Sequence, residues 1–444
     1  MASGVRAGYK RAIFPYWSSL RFITCPASRL SSIRDSDGMT KPILSANFAP
    51  PGARAPVKAS LSAIRWRSTR PMILAASLIT VIYLSLAAIV IAVDPHNIYS
   101  WGAEPRIERG DTPRDLVIDW IDVAAKDPAY NTFLVGSSVT AMYTPEYMKG
   151  VLGPDAHVAN LSYGGPRPRD RDLVLDRLVA NPTIQHVILT FDWTYIQDPE
   201  VTNRSFPAFL YDSDITNDLR MVNFPTIRKA FDILGGNLSY SNPDDATYKT
   251  YVDKMYEGFQ HPSEMTKIAR LVERHRTEIG ASSGRDCASF HAINDQLVPD
   301  VRALSDRGVK VDIMIPIASY AFYYVRRNDI SPTLLDEQMI ARRCLVNAVG
   351  DLPHVNIFAF DDDPAVAGDL ANFREVGHVY DPAILRRFVT ATTTGTGRLT
   401  RDNFPTHERA IRSAVENYRL TNSYLGRATA TEPSENTRSN SSTS

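Results

Sequence analysis

Two short segments hold residue types that could do chemistry together. Val135-Gly136-Ser137-Ser138 sets a glycine and two serines directly after an apolar run, and Arg374-Glu375-Val376-Gly377-His378 sets a carboxylate three residues before a histidine. A serine hydroxyl is a weak nucleophile until a base takes its proton. An imidazole does this near neutral pH when a carboxylate accepts its other N–H and fixes the tautomer. Ser138 as nucleophile, His378 as base and Glu375 as orienting group make a candidate acyl-transfer set. Either segment alone is weak, because G-S-S is a common helix cap and E-x-x-H recurs by chance.

Such a set works only if the chain brings its members to one edge. Short apolar runs at 131–136 (NTFLVG), 157–161 (HVANL), 185–191 (QHVILTF), 310–317 (KVDIMIPI) and 355–360 (VNIFAF) read as five strands. Helical spacing separates or follows them at 168–178, 382–390 and 406–418. Alternation of this kind predicts an α/β fold, a central parallel sheet between two helical layers. In open sheets reactive groups collect beyond the carboxyl ends of strands, where Ser138 would lie. The interval from 200 to about 289 is too long for one crossover and reads as a helical insertion over an edge or mouth of the sheet, with 261–278 helical and 212–218 and 237–245 turn-rich.

The order of these segments resembles the SGNH (GDSL-type) hydrolase superfamily over roughly residues 130 to 390. The family's first block, Gly-Asp-Ser, is similar to Gly136-Ser137-Ser138 without the aspartate. Its second block, a glycine five positions after an asparagine, is reproduced by Asn160-Leu161-Ser162-Tyr163-Gly164-Gly165. The third, Gly-x-Asn-Asp, falls on Asp192-Trp193-Thr194-Tyr195 and lacks the asparagine donor. The last, Asp-x-x-His, is matched by Glu375 and His378. The resemblance implies a three-layer α/β/α sandwich, with oxyanion donors at the backbone of Gly165 and Ser138. Asp192, Trp193 and Thr194 are candidate substitutes for the third block. Asp94-Pro95-His96-Asn97-Ile98-Tyr99 is similar to a segment of membrane-anchored bacterial members, which are associated with acyl groups of exported polysaccharide.

Residues 72–93 form an uncharged run of 22 residues, about 33 Å as a helix, enough to cross a hydrocarbon core of about 30 Å. Arg54, Lys58, Arg65, Arg67 and Arg70 precede it and Asp94 follows it. The positive-inside rule then puts the N-terminus in the cytoplasm and residues 94–425 outside, in the periplasm if the cell is bacterial. The formal charge is zero, but residues 1–70 carry a surplus of +10 and the remainder −10. An acidic bulk argues against nucleic acid as the partner. Residues 1–70 read as a flexible basic tail and 426–444 as a disordered one. Of the three cysteines, only Cys287 and Cys344 fall on the far side, where a disulfide is allowed but not implied by spacing.

No His/Cys pattern suggests a metal, and no cofactor is called for. Asp361-Asp362-Asp363 reads as a solvated acidic turn before it reads as a cation site. The aromatics Tyr320, Phe322, Tyr323 and Tyr324 read as core before they read as a sugar platform. Two functions remain. The preferred one is an anchored extracytoplasmic serine esterase or acyltransferase acting on acyl groups, acetyl foremost, of an envelope or exported polysaccharide. The other is an inactive SGNH-like module that binds glycan or protein partners during envelope assembly.

Overall fold

The computed structural model describes residues 61–96, 98–99, 121, 124–125, 127–140, 143–203, 206–211, 214, 216–236, 262–325, 332–379 and 381–420. The tail before 61, the turn expected at 237–245 and the tail at 426–444 lie outside them. Two compact units divide the chain, 1–81 and 82–444. Helix α1 (Leu61–Val93) begins in the first and ends in the second. Its portion Thr69–Val93, with mean hydropathy 2.5, is long and apolar enough to cross a membrane.

The second unit is α/β. Strands β1 (Thr132–Val135), β2 (Val158–Asn160), β3 (His186–Thr190), β4 (Lys310–Met314) and β5 (Val355–Phe358) each fall within a run expected from the sequence. They pair in parallel in the order β2-β1-β3-β4-β5. The chain therefore leaves β1 toward β2 on one side and returns to β3 on the other, a topological switch point at which open sheets bind ligands. A hairpin, β6 (Phe373–Glu375) with β7 (His378–Val379), follows the sheet. A last strand, β8 (Arg398–Leu399), pairs antiparallel with β5, so the sheet has six strands where the sequence indicated five. A two-residue strand has no periodicity to read.

Side chains alternate across the strands into two apolar clusters. Phe133, Val135, Val187, Leu189, Val311 and Ile313 enter one, while Leu134, Ile188 and Met314 enter the other. Both faces are covered, which is why the strands read as mostly apolar runs, broken by a few polar residues such as Asn160 and Asp312. Helices α2 (Pro145–Leu152), α3 (Pro168–Val179), α4 (Phe224–Leu234), α5 (Pro262–Arg274), α6 (Val298–Asp306), α7 (Leu334–Val349), α8 (Pro382–Thr394) and α9 (Phe404–Glu416) supply the rest. Leu173, Val174 and Leu178 of α3 cover the first cluster, and Ile384, Phe388 and Val389 of α8 cover the second. Described residues of the 200–289 interval have no core of their own. Phe206, Leu210, Tyr211 and Ala230 join the first cluster, Ile268 and Val272 the second. A disulfide joins Cys287 to Cys344 of α7, with a Cα–Cα separation of 5.4 Å.

Candidate functional site

The turn that carries Ser138 starts where β1 ends. At Gly136 a Cβ would lie 1.9 Å from Thr140 Oγ1 and 2.9 Å from Thr190 Oγ1, so only glycine lets the chain pass. The next turn closes through Thr140 N donating to Ser137 O at 3.0 Å. Asn160, fully buried at the end of β2, holds this turn from the side. Its Nδ2 donates to Tyr143 O at 2.9 Å, and its Oδ1 accepts from Ser162 N at 2.9 Å. One side chain thus links the turn that carries Ser138 to the loop that leads to Gly165.

Gly165 has φ +66°, a left-handed conformation natural to glycine. Its carbonyl accepts from Asn203 Nδ2 at 2.6 Å. Beneath it the buried Asp170 carboxylate accepts from Arg167 N at 2.8 Å and from Asn203 N at 3.0 Å. Burial pushes Asp170 up to about 6, and these backbone donors limit the rise. Asp170 and Asn203 together fix the second-block loop.

His378 arrives on the hairpin. Ser319 N and Ser319 Oγ each donate to Val376 O at 2.8 Å, which pins the turn before it. Tyr143 OH donates to Leu385 O at 3.2 Å, tying the serine side to α8 just beyond the histidine. The outcome is a separation of 2.6 Å between Ser138 Oγ and His378 Nε2. Glu375 stands opposite His378 in the hairpin register. Its side chain lies outside the described residues.

The third block behaves differently from its counterpart in the resemblance. Asp192 Oδ1 accepts from Thr194 N at 3.0 Å and from Thr194 Oγ1 at 2.6 Å, while Oδ2 accepts from Arg171 Nη2 at 2.5 Å. Burial would raise this carboxyl, but the Arg171 guanidinium outweighs it and holds the group below the usual carboxylate range. Arg171 is itself buried and lies over the Tyr195 ring, 4.9 Å from its centroid. The polar atoms of Asp192 and Thr194 are therefore committed to the loop. Trp193 carries the Arg167 guanidinium 5.6 Å from its ring centroid.

Part of this set meets in one cavity of about 260 Å³. Ser138, His378, Gly165, Asp192, Trp193 and Thr194 line it, and Ile196, Ile317, Phe322 and Val325 add apolar wall. It opens beyond the carboxyl ends of β1, β2 and β3, beside the switch point. The aromatic group splits, since Tyr320, Tyr323 and Tyr324 are buried and Phe322 faces the cavity. The three aspartates are spent within the chain. Asp361 pairs with Arg342 at 2.7 Å and with His407 at 3.4 Å, Asp362 with His407 at 3.3 Å, and Asp363 caps a turn through Ala365 N at 3.0 Å. Among the described residues no group of three or more His, Cys, Asp or Glu side chains could hold a metal.

Sequence reasoning missed Ser319, Asn203 and Arg171. The first two are single polar residues in irregular segments and carry no signal. Arg171 had one, a basic residue on the apolar side of α3. No family model and no curated protein matches the chain, so the site rests on its own geometry.

Proposed function

We propose that the chain is a membrane-anchored extracytoplasmic serine esterase or acyltransferase with an SGNH-like site, acting on acyl groups of an envelope or exported polysaccharide. The observation that carries this reading is the 2.6 Å contact between Ser138 Oγ and His378 Nε2 at a cavity bordered by Gly165. His378 takes the Ser138 proton as Oγ attacks the acyl carbonyl, and the backbone N–H groups of Ser138 and Gly165 receive the developing oxyanion. His378 then returns the proton to the departing alcohol, leaving an acyl-serine. Water or an acceptor hydroxyl, deprotonated by His378, releases the acyl group as acid or as a new ester. Glu375 orients the imidazole. The cavity exceeds what an acetyl group fills, so part of the alcohol enters with it.

Export is the reading of α1 and its basic flank, with the N-terminus in the cytoplasm. The Cys287–Cys344 disulfide supports it, because such bonds persist in oxidising compartments. A second reading, a non-catalytic glycan- or protein-binding module, has one observation in its favour. The third block offers no free side-chain donor from Asp192 or Thr194.

The test is turnover of an aryl acetate and of acetylated glycans by the purified full chain. Ser138→Ala should abolish it with little change in stability, Ser137→Ala should be milder, and Glu375→Gln intermediate. If the wild-type chain turns over no ester while Ser138→Ala keeps the cellular phenotype, the binding-module reading replaces the enzyme.

A further inference from the structure

The cavity reaches well beyond the serine. Ser138 follows β1, Phe191 follows β3 and Ile317 follows β4, so the floor crosses the carboxyl ends of three adjacent strands and meets α7 at Ala341 and Arg342. Neighbouring strands lie about 4.8 Å apart, which makes the distance from β1 to β4 roughly 10 Å. An acetyl methyl reaches only about 1.5 Å past its carbonyl carbon. With an acetyl ester the space left over goes to part of the alcohol. The chemistry of the wall describes a substrate that fills it better.

The two sides of the cavity differ. Ser138, Gly377 and His378 are half-buried and Gly165 is exposed, so a polymer reaches the serine from there and its alcohol departs there. Toward α7 the wall is buried, with Phe191, Ile317, Ala341 and Arg342 each 3% exposed or less. A sugar ring on that side would set several hydroxyls against a wall whose polar side chains are Gln338 and Arg342, and hydroxyls buried without partners are costly. An acyl chain brings no such cost.

Gln338, Ala341 and Arg342 share one face of α7 by their spacing. Tyr323 OH donates to Gln338 Oε1 at 3.3 Å, and Arg342 Nη2 donates to the same oxygen at 3.5 Å. Because both neighbours are donors, the amide oxygen faces them and its NH2 group turns away. That Nε2 makes no hydrogen bond among the described residues, and Gln338 lines the cavity. Arg342 is balanced by Asp361 at 2.7 Å, and His407, held protonated, stands between Asp361 and Asp362. Two cations against two carboxylates leave this side with hydrogen-bond donors and no net charge.

We infer that the cavity takes an acyl group longer than acetyl that carries an uncharged oxygen, carbonyl or hydroxyl, toward its far end, and that the Gln338 amide donates to that oxygen. This rests on the serine-esterase reading. The apolar stretch between ester and oxygen lies along Phe191, Ile317 and Phe322, and the chemistry at Ser138 is unchanged.

The experiment compares kcat/KM of the purified full chain for p-nitrophenyl acetate, hexanoate, 4-oxohexanoate, 5-oxohexanoate and the p-nitrophenyl monoester of adipate. Hexanoate should exceed acetate by about ten-fold or more, and the better oxo ester should exceed hexanoate by roughly five-fold, as one hydrogen bond supplies. Gln338→Met should bring the oxo-to-hexanoate ratio near one, and Ala341→Leu, which fills the α7 side, should move the preference back toward acetate. The wild-type ratios decide even where a variant does not fold. Turnover of acetate at least as good as that of hexanoate overturns the inference and leaves the esterase reading standing. Oxo esters no better than hexanoate, or a ratio that survives Gln338→Met, overturn the role of Gln338. A preference for the adipate monoester means a charged acceptor and also overturns the inference. No turnover of any ester overturns the esterase reading itself.

Discussion

Replacing Arg171 with methionine isolates what the third block has become. The substitution keeps length and apolar stem but removes the guanidinium that donates to Asp192 Oδ2 at 2.5 Å and to Thr190 O at 3.2 Å. Asp192 is left with its two Thr194 bonds and an uncompensated charge. Breaking one side of a buried pair costs about 3–5 kcal/mol, and loss of the stacking on Tyr195 adds to it. The pH dependence separates this from a packing defect. In the wild type the Asp192 carboxyl is held below its ordinary value, so its contribution is present above the unfolded pKa and is lost as pH falls through the folded one. In Arg171→Met only the two Thr194 bonds still oppose burial, the largest influence on this carboxyl, and the pKa should rise above the unfolded value. The charge then becomes a cost at neutral pH that is relieved on acidification. Thermal and denaturant unfolding of the full chain in micelles at pH 7 and near pH 4.5 should show a deficit that shrinks toward acid. Arg171→Met with Asp192→Asn should recover much of it at pH 7. A deficit that is equal at both pH values, and unmoved by Asp192→Asn, would refute the ion-pair account.

The same loop offers a gain-of-function test. Thr194→Asn gives up the 2.6 Å bond to Asp192, at a cost of about 1 kcal/mol, but returns an amide to the position the resemblance assigns to the oxyanion donor. Ester turnover by the purified chain should rise toward the roughly 10²-fold that one such donor supplies, and an unchanged or lower rate counts against the assignment. Burial pulls His407 down, but the carboxylates of Asp361 and Asp362 outweigh it and raise the imidazole to about 9. Its stabilisation is complete below the unfolded value near 6.5 and is lost as pH rises through about 9, up to about 3 kcal/mol in all. His407→Gln should flatten the alkaline decline in Tm measured between pH 6.5 and 9, and a decline of unchanged steepness would remove His407 as its source.

How much of this was legible depends on how each signal is written in the chain. The strands were, because β1 to β5 are covered on both faces and therefore read as short, mostly apolar runs such as FLV in β1 and VIL in β3. Ser138 and His378 were legible as types in sequence order, since a serine after the first strand and a histidine before a late helix are local features. The hairpin that presents His378 was not. Its strands have three and two residues, and the turn is held from outside by Ser319, a contact no local pattern encodes. β8 escaped for the same reason. The fate of Asp192 was hidden because it depends on Arg171, one helix earlier in the chain, and a sequence shows neither the approach nor the burial that decides which group stays charged.

The weight of the enzyme reading comes from the cost of its geometry. Ser138 and His378 belong to segments that share no strand pairing, and three independent tethers bring them within 2.6 Å. Asn160 fixes the serine turn, Ser319 fixes the hairpin, and Tyr143 OH joins the serine side to α8. Asn160 and Ser319 are buried polar groups whose desolvation has to be offset by the bonds they make. A surface that only binds glycan needs shape and a few donors, and it gains nothing from aligning one hydroxyl on one imidazole. The altered third block changes the rate rather than that logic. On the proposed enzyme reading, the Arg171–Asp192 pair adds no net negative charge at the cavity wall beside a developing oxyanion, which leaves the backbone donors at Ser138 and Gly165 to stabilise it. An acyl-transfer site that keeps its nucleophile and base but lacks one donor should be slow, and Thr194→Asn should speed it.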